Sequence, residues 1–435
     1  MEYIEVEGGH AIQGELAVQG SKNAALPMMA AALLTSQPVV LERCPQIEDV
    51  RVMCDLLRYV GAEVEQQGEQ IRICAKRISN TRLPSELVAK MRSSIILMGP
   101  LLARTGKAGM CFPGGCVIGA RPIDLHVTGL RRLGYSIAVE EGCVLAESPL
   151  QAERALWQKV SGRPQCGAVS RIHLRFPSVG ATENLLMAAA LSQQEIVITG
   201  AAREPEVRQL GRMLQQMGAE IEGLGSERIR ICGCETLQGT TCRVMSDRIA
   251  AGTYLIAGAV TGGDVLLHHV DPVDNFPVLQ VLEEMGCHIS YHEKQQWIHL
   301  RAPERLKRIS VMTRPHPGFP TDLQAMLMVA LCKARGVSSI EETVFEDRFR
   351  HVEALRRMGA RITVQGSRAT IRGGSRLRAA DLWATDLRAG AAMVLAGLCS
   401  EGVSRVYNLE HVRRGYESMS RDLLALGAHI KECLD

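Results

Sequence analysis

One unit recurs six times along this chain of 435 residues, and the recurrence constrains the fold more than any other feature. Each copy is a helix-like stretch that ends in Leu-x-x-x-Gly and is followed by alternating apolar residues. Glycine stops an α-helix because it adopts the left-handed conformation without a steric penalty. The pattern predicts an amphipathic helix followed by a strand in every copy. The copies lie at Leu57–Gly61, Leu130–Gly134, Leu214–Gly218, Leu282–Gly286, Leu355–Gly359 and Leu423–Gly427.

A second element recurs in phase with the first. It is a helix of small apolar residues, apolar on nearly every side, which predicts a buried position. Most copies lead into a strand-like run such as Val39–Leu41 or Ile196–Thr199. The predicted unit is therefore a buried helix, a strand, an amphipathic helix and a strand pair. The buried helices are predicted at Ala24–Leu34, Ser94–Leu102, Glu183–Leu191, Gly252–Val260, Asp322–Leu331 and Ala389–Leu398.

The number of units leaves two arrangements open, one ring of six units or two lobes of three. One unit cannot bury its apolar faces alone, so the units must pack against one another. Single hydrophobic cores stop growing at about 250–300 residues, which favours two lobes for a chain of this length.

Charge and composition exclude several classes of protein. Lys and Arg number 50 against 47 Asp and Glu, and aromatic residues make up only 4%. A dedicated nucleic-acid binder has a larger positive surplus and more stacking side chains. The acidic N-terminal sequence is unlike a signal peptide, and no apolar run reaches the roughly 18 residues that a membrane span needs. Fourteen scattered cysteines suit a reducing compartment, so we expect a cytoplasmic protein that binds neither nucleic acid nor membrane.

The loops that precede the predicted buried helices carry basic residues at four places. These residues are Lys22, Arg92, Arg248 and Arg388. A helix N-terminus attracts anions through its unpaired N–H groups and its dipole. Each basic residue alone is more simply explained as a solvated surface residue. Their repetition at equivalent positions favours a cleft for a substrate with several phosphates or carboxylates.

The segment Phe112–Pro122 is of a different kind, because glycines flank Cys116 and Arg121 follows. Glycines predict a mobile loop, and an arginine can bind a phosphate through two parallel hydrogen bonds. A thiol beside cationic groups is reactive, but local sequence leaves open that Cys116 is one of fourteen incidental thiols. The spacing of Cys232 and Cys234 does not suit zinc, and phosphate-loop and dinucleotide motifs are missing, so no metal or cofactor is expected.

Eight segments, in order along the chain, carry a resemblance to a known family. They are Ser21–Pro27, Cys116–His126, Ser178–Thr182, Ala202–Glu206, His316–Asp322, Glu342–Phe349, Ala384–Arg388 and Arg414–Tyr416. On these segments the chain resembles the UDP-N-acetylglucosamine 1-carboxyvinyltransferase family of enolpyruvyl transferases. The resemblance implies a two-lobed inside-out α/β (α+β) barrel built from six βαβαββ pseudo-repeats, three per lobe. It also implies one lobe at residues 20–245 and a discontinuous lobe at residues 1–19 and 246–435.

The resemblance implies a reaction. The enolpyruvyl group of phosphoenolpyruvate is transferred to the 3-hydroxyl of UDP-N-acetylglucosamine, in the first committed step of peptidoglycan precursor synthesis. The hydroxyl adds to C2 while C3 takes a proton; loss of a C3 proton and of phosphate from the tetrahedral intermediate restores the vinyl group. Asp322 then holds and deprotonates the hydroxyl, and Cys116 donates a proton and is the site alkylated by fosfomycin.

The same resemblance assigns the other site residues. Lys22, Arg121 and Arg414 match positions that neutralise the phosphate of phosphoenolpyruvate, and Arg388 lies at its carboxylate side. Lys22 and Arg414 are counted as catalytic with Cys116 and Asp322. The remaining predicted substrate contacts are Asn23, Arg92, Pro122, Ile123, Asp124, Leu125, Ser178, Val179, Gly180, Val344, Arg348 and Asp386.

The sequence departs from the family pattern in a few places. Residues 150–172 are longer than the family pattern, which predicts a surface insertion there. Glu48, Ala250 and Arg413 stand where other residues are common in the family.

Three other functions are compatible with parts of this pattern. The sister transferase that acts on shikimate 3-phosphate shares the fold and mechanism, but it lacks the glycine-flanked cysteine loop. A paralogue that binds the UDP-sugar and regulates is disfavoured by the intact Lys22, Cys116, Asp322 and Arg414. An RNA-end cyclase or RNA-binding protein on related repeats is disfavoured by the near-neutral charge and the few aromatic residues.

Overall fold

Two separate hydrophobic cores divide the chain. The computed structural model describes residues 2–112, 123–140, 142–148, 169–192 and 194–434. We call residues 2–20 and 246–434 the terminal unit, and the described residues between 21 and 245 the central unit. Each unit buries its own set of Ala, Leu, Ile, Val and Met side chains.

The α-helices are distributed over both units. Those of the central unit are α1 (Lys22–Ala31), α2 (Glu48–Tyr59), α3 (Ser85–Lys90), α4 (Met98–Thr105), α5 (Asp124–Arg132), α6 (Val179–Ala189) and α7 (Pro205–Met217). Those of the terminal unit are α8 (Arg248–Thr261), α9 (Pro272–Glu284), α10 (Gln324–Lys333), α11 (Val352–Arg357), α12 (Leu387–Leu398), α13 (Leu409–Val412) and α14 (Met419–Ala425). Short 3₁₀ helices lie at Ala32–Leu34, Arg92–Leu97 and Thr321–Leu323.

The strands are short, as is usual for small mixed sheets. Two begin the chain, β1 (Glu2–Glu7) and β2 (Gln13–Ala17). The central unit contains β3 (Val39–Glu42), β4 (Glu63–Gln67), β5 (Gln70–Cys74), β6 (Lys107–Cys111), β7 (Ser136–Glu140), β8 (Cys143–Glu147), β9 (Val169–His173), β10 (Glu195–Thr199), β11 (Glu220–Glu222), β12 (Arg228–Cys232) and β13 (Thr241–Arg243). The terminal unit continues with β14 (Asp264–His268), β15 (His288–His292), β16 (Trp297–Arg301), β17 (Ser310–Met312), β18 (Val337–Glu341), β19 (Arg361–Gln365), β20 (Arg368–Arg372), β21 (Asp381–Trp383), β22 (Val403–Tyr407) and β23 (His429–Leu434).

The sheets of the terminal unit share one strand order. The orders are β2-β14-β16-β15, β17-β18-β20-β19 and β21-β22-β1-β23. In each sheet the first pair is parallel and the following pairs are antiparallel. The first residues of the chain thus supply one strand to each of two sheets that are otherwise built from residues beyond 263.

The central unit repeats this order in β9-β10-β12-β11 and β13-β3-β5-β4. Its third sheet is β6-β8-β7, and a parallel bridge between Arg82 and Gly109 lies at the edge where the other sheets have their parallel strand. The sheets of both units are therefore mixed, and helices connect their strands.

The predicted helix ends are confirmed. The glycines that close the Leu-x-x-x-Gly patterns all have a positive φ, between +80° and +117°. A glycine in this left-handed conformation ends the amphipathic helix and lets the backbone turn toward the next strand. These glycines are Gly61, Gly134, Gly218, Gly286, Gly359 and Gly427.

The predicted buried helices are also present and buried. Two of them begin differently from the prediction, because a 3₁₀ helix forms their first part. Arg92–Leu97 leads into α4, and Thr321–Leu323 leads into α10. The second 3₁₀ helix places Asp322 at the start of a buried helix rather than within its regular turns.

Some expectations lie outside the described residues. These are the loop from residue 113 to residue 122 and most of the predicted insertion at 150–172. The end of that insertion is corrected, because residues 169–172 belong to β9, which pairs with β10. Over the part of the chain that the structure describes, none of the helices combines the length and the apolar character that a bilayer crossing requires.

Candidate functional site

Asp322 lies where distant segments of the terminal unit meet. Arg348 Nη2 donates to Asp322 Oδ1 at 2.7 Å, and Arg388 Nε donates to the same oxygen at 3.2 Å. The arginine side chains are only 4% and 9% exposed, whereas that of Asp322 is 31% exposed. Three residues predicted for the site are thus together, and two buried cations orient one partly exposed carboxylate.

Arg388 remains a charged group although it is buried. Burial, the largest single influence, lowers the pKa of the Arg388 guanidinium, but Asp322, Tyr416 and Asp247 together outweigh it and raise the pKa. The hydroxyl of Tyr416 is also 2.8 Å from Thr253 Oγ1. The guanidinium of Arg388 therefore keeps a fixed positive charge next to the carboxylate of Asp322.

Glu342 fixes the backbone around this site. The Thr321 hydroxyl donates to Glu342 Oε2 at 2.9 Å. The backbone N–H groups of Val344 and Phe345 donate to Glu342 Oε1 at 2.9 and 3.1 Å. Glu342 is buried, and its carboxylate joins the 3₁₀ helix of Asp322 to the loop that carries Val344. Sequence reasoning placed Glu342 in a motif but gave it no role.

Asp386 has a structural role that the prediction did not include. Its Oδ1 accepts hydrogen bonds from the backbone N–H groups of Arg388 and Ala389 at 2.9 and 3.1 Å. It is therefore the N-cap of α12, and this cap positions the backbone of Arg388. Arg414 is half-buried and follows α13, where its N–H donates to the carbonyl of His411 at 3.4 Å.

A buried histidine adjoins this group. His351 is 2% exposed, and its Nε2 has no hydrogen-bond partner among the described residues. Burial lowers the pKa of His351 to about 4; Arg348 adds to this effect, while Asp386 opposes it. The imidazole is neutral at physiological pH, so it adds no charge beside Arg348.

Lys22 is held at the start of α1 in the central unit. Ser21 caps this helix, because its Oγ accepts from the backbone N–H of Ala24 at 3.3 Å. The ammonium of Lys22 lies 2.7 Å from Asp49 Oδ2, and the two side chains are 13% and 2% exposed. Asn23 follows in the first turn and is half-buried. Asp49, in the first turn of α2, was not predicted for the site.

Ser178 begins α6 in the same way. Its Oγ accepts from the N–H of Ala181 at 3.3 Å, and Val179 and Gly180 form the first turn. A Cβ at Gly180 would lie 3.4 Å from the ring of His126, which is an ordinary van der Waals contact.

His126 joins α5 to α6. Its Nδ1 is 3.0 Å from the side-chain nitrogen of Asn184, whose side-chain oxygen accepts from the N–H of Gly99 at 2.6 Å. Burial lowers the pKa of His126 to about 4, opposed by Asp124 and assisted by Arg92. The ring is neutral and is part of a buried polar network.

The other predicted contacts of the central unit lie around this network. Asp124 is the first residue of α5 and forms an ion pair with Arg175. Ile123 and Leu125 are half-buried against the core, and Arg92 begins a 3₁₀ helix.

Three buried glutamates in the central unit were given no role by the sequence analysis, although two of them lie in the segment Ala202–Glu206. Glu183, Glu204 and Glu206 are 3%, 7% and 2% exposed. Burial raises the pKa of Glu183 well above its ordinary range, and the charges of Glu206 and then Glu204 add to the effect. A signal existed for Glu183, because it is a charged residue inside a helix predicted to be buried.

The predicted site residues fall into two groups. Asp322, Val344, Arg348, Asp386, Arg388 and Arg414 belong to the terminal unit; Lys22, Asn23, Arg92, Ile123, Asp124, Leu125, Ser178, Val179 and Gly180 belong to the central unit. Cys116, Arg121 and Pro122 lie outside the described residues.

Of the family departures, Glu48 pairs with Arg51 in the first turn of α2. Arg413 is tied to Glu2 and Glu432 on the edge of the β1–β23 sheet.

Known proteins match the chain over its whole length. A family model described as EPSP synthase (3-phosphoshikimate 1-carboxyvinyltransferase) matches residues 6–423. A UDP-N-acetylglucosamine 1-carboxyvinyltransferase 2 from Carboxydothermus hydrogenoformans is 42% identical over 435 residues, which is 100% of both chains.

Two solved structures share the fold. The enolpyruvyl transferase NikO from Streptomyces tendae has a TM-score of 0.85 and 24% identity, and the match covers 99% of this chain and 98% of that one. An EPSP synthase from Acinetobacter baumannii has a TM-score of 0.75 and 18% identity, with 100% of both chains covered. The mixed sheets and connecting helices described above are those of this fold.

Proposed function

We propose, from the premise that this chain belongs to the EPSP synthase family of carboxyvinyltransferases, that it transfers the enolpyruvyl group of phosphoenolpyruvate to the 3-hydroxyl of UDP-N-acetylglucosamine and releases phosphate. The reaction begins peptidoglycan precursor synthesis. The observation that carries the proposal is the 42% identity, over the full length of both chains, with a relative of that name.

Asp322 is the base in this proposal. Its carboxylate is partly exposed, and one oxygen is anchored by Arg348 and Arg388. A carboxylate held in one orientation can accept the proton of the sugar hydroxyl as the oxygen attacks C2. The arginines add positive charge close to where the negative tetrahedral intermediate forms. Asp322, Arg348 and Arg388 therefore act as one group.

Cations neutralise phosphoenolpyruvate. Its phosphate binds to Lys22, Arg121 and Arg414, and its carboxylate binds to Arg388. Cys116 supplies the proton to C3. The buried environment of Arg388 supports its part, because a charge in a low-dielectric site acts more strongly than one in water.

The central unit supplies the UDP-sugar site in this proposal. Ser178, Val179 and Gly180 start α6, and Arg92 starts the 3₁₀ helix that leads into α4. Backbone N–H groups at helix starts bind phosphate oxygens. Asn23, the segment Arg121–Leu125 and Val344 complete the site, with Asp386 holding α12 in place.

The proposal extends to the architecture. Two lobes of three βαβαββ repeats, joined by two crossings of the chain at residues 20 and 246, form an inside-out α/β barrel. The strand order shared by the described sheets and the position of β1 and β2 in sheets of the terminal unit support this arrangement.

Phosphate release tests the function directly. Purified protein is mixed with phosphoenolpyruvate and UDP-N-acetylglucosamine, and phosphate is measured over time. We expect release that requires both substrates. Absence of release under conditions in which the protein is folded would overturn the proposal.

Shikimate 3-phosphate is the second candidate acceptor, because the matching family model is named for that activity. The same assay separates the two: release with shikimate 3-phosphate and none with UDP-N-acetylglucosamine would assign the chain to the sister reaction. We expect the opposite result.

Fosfomycin tests the role of Cys116. We expect the inhibitor to add covalently to the peptide that contains Cys116, and Cys116→Ser to abolish the adduct. Cys111→Ser is the matched control, since it removes a thiol close in sequence and should leave the adduct intact. An adduct on another cysteine would contradict the assignment.

A further inference from the structure

Two thiols face each other across a pair of antiparallel strands in the central unit. Cys111 ends β6 and Cys143 begins β8, and the strand register places them directly opposite each other. Their sulfur atoms are 2.8 Å apart. The backbone N–H of Phe112 donates to the carbonyl of Gly142 at 2.6 Å, so the pairing continues one residue past the thiols.

This placement meets the requirements of a disulfide bond. Directly opposed residues of antiparallel strands have Cα atoms about 4.5–5.5 Å apart, within the range of about 4.4–6.8 Å that a disulfide spans. The sulfur atoms need to approach by less than about 1 Å to reach the bond length of roughly 2.05 Å. Both residues are half-buried at the end of a sheet, so a small oxidant can reach them.

We propose that Cys111 and Cys143 form a reversible oxidation site. With a peroxide as oxidant, one thiolate attacks a peroxide oxygen and becomes a sulfenic acid, and one water leaves. The second thiol then attacks the sulfenic sulfur; the S–S bond forms and a second water leaves. Two thiols are oxidised by two electrons, and one peroxide is reduced. A dithiol reductant reverses the change.

The disulfide bond would close a loop, because it would join the first and last residues of the segment 111–143. This segment contains Cys116 and Arg121 in sequence, together with α5 and β7. The oxidation site itself does not depend on the proposed function, because it rests on the strand register and the sulfur contact alone.

Peptide mapping tests the oxidation site on the full chain. Reduced protein is treated with hydrogen peroxide, remaining thiols are alkylated, and the digest is analysed by mass spectrometry. We expect a cross-linked pair of peptides containing Cys111 and Cys143, which dithiothreitol separates. Contact with Cys143 and then burial raise the pKa of Cys111, opposed by Arg82, so an incubation of an hour is used rather than seconds.

Two variants make this test specific. Cys143→Ser should abolish the cross-link, and Cys232→Ser, which removes another half-buried cysteine at a strand end, should retain it. The proposal is wrong if the peroxide-treated protein without substitutions yields no cross-linked Cys111–Cys143 peptide pair. It is also wrong if Cys111 pairs equally well with other cysteines.

An independent cluster in the terminal unit has the composition of a metal site. Glu7 ends β1 directly opposite His429, the first residue of β23. His10 follows a turn that is fixed by backbone hydrogen bonds from Gly8 and Gly9 to Gly402 and Leu398, both at 3.0 Å. His10 Nε2 is 3.6 Å and His429 Nδ1 is 3.5 Å from the two carboxylate oxygens of Glu7.

The distances suit a first-row divalent metal ion. Ligand bonds of about 2.0–2.1 Å in tetrahedral geometry place the ligand atoms roughly 3.3 Å apart. The ligand atoms of the three residues lie within 4.8 Å of one another, so small side-chain rotations suffice. Two imidazoles and one carboxylate are a common donor set for such ions. We infer that Glu7, His10 and His429 bind one divalent transition-metal ion on an exposed surface.

Calorimetry with Ni²⁺ tests this second site, since imidazole suits Ni²⁺ while free thiols prefer softer ions. We expect saturable binding of one ion, which His10→Ala and His429→Ala each weaken by at least about 10-fold. His292→Ala, which removes an exposed histidine elsewhere in the unit, is the control. Unchanged binding in both cluster variants would overturn the assignment.

Discussion

The two units cap their buried helices with different residues. In the central unit, Ser21 and Ser178 cap α1 and α6 with neutral hydroxyls. In the terminal unit, Asp247 and Asp386 cap α8 and α12 with carboxylates, each accepting two backbone N–H groups. The four helices occupy equivalent positions relative to their sheets, but the charge of the capping residue differs between the two units.

The difference separates two kinds of chemistry. A serine cap leaves the positive end of the helix dipole available to an anion, whereas an aspartate cap compensates it. A basic residue follows the cap in both units, Lys22 after Ser21 and Arg248 and Arg388 after the aspartates, so the contrast lies in the caps themselves. We therefore expect the central unit to bind the phosphates of the nucleotide sugar, and the terminal unit to handle the sugar hydroxyl through Asp322.

The largest expected effect is the loss of the proposed base, Asp322, in the terminal unit. Asp322→Asn keeps an oxygen for Arg348 and Arg388 but cannot take a proton, so we expect kcat to fall by about 10²–10⁴-fold. Phosphate release at saturating concentrations of both substrates measures it.

Asp264→Asn is the matched control for this prediction. Asp264 is also a carboxylate of the terminal unit held by two side chains, His299 and Arg301, but it was not assigned to the site. We expect its kcat to stay within about 2-fold of the unmodified protein, since exposed ion pairs contribute little. A similar loss in both variants would show that Asp322 has no special role.

A smaller effect concerns one buried histidine in each unit. The pKa values of His126 and His351 are lowered to about 4 in the folded protein, from about 6.5 when unfolded. The unfolded state therefore binds more protons between pH 6.5 and 4, and stability is lost as the pH falls through this window. Each histidine is expected to cost about 2 kcal/mol of stability between pH 7.5 and pH 5.

Hydrogen exchange in α6 and α11 reports on the two units separately. His126→Leu should reduce the acid sensitivity of α6, and His351→Leu that of α11. At pH 7.5 His126→Leu should be the more destabilising, because it removes a partner of buried Asn184, whereas His351 Nε2 lacks a partner among the described residues. Acid sensitivity that persists in both variants would contradict the assignment to these histidines.

The smallest expected effect is a change in KM when the N-cap residue of α6 is replaced. Ser178→Asp keeps the N-cap hydrogen bond but adds a negative charge at the start of α6. We expect the KM for UDP-N-acetylglucosamine to rise about 2–5-fold, because a charge at a helix end contributes about 0.3–1 kcal/mol. Ser178→Thr, which caps without charge, should leave KM unchanged. An equal KM in both variants would remove the proposed contrast between the units.

Much of the fold was accessible from sequence because it depends on local backbone preference. The glycines that end the amphipathic helices, such as Gly218, need a left-handed φ that few other residues tolerate. The apolar helices, such as α6, could be recognised as buried because they lack a polar face. Because the helix-ending glycines and the apolar helices recur along the chain, they can be recognised in a single sequence.

The site was less accessible, because its contacts join residues far apart in sequence. The sequence by itself determined the periodic elements, the residue types at the helix starts and the family resemblance that named Asp322, Arg348 and Arg388. Only the tertiary structure decided that these residues share one carboxylate oxygen, that Glu342 fixes the backbone of Val344, and that Asp386 is a helix cap. The physical reason is that hydrogen bonds and charge interactions depend on distance and burial, and the packing of the whole unit sets both.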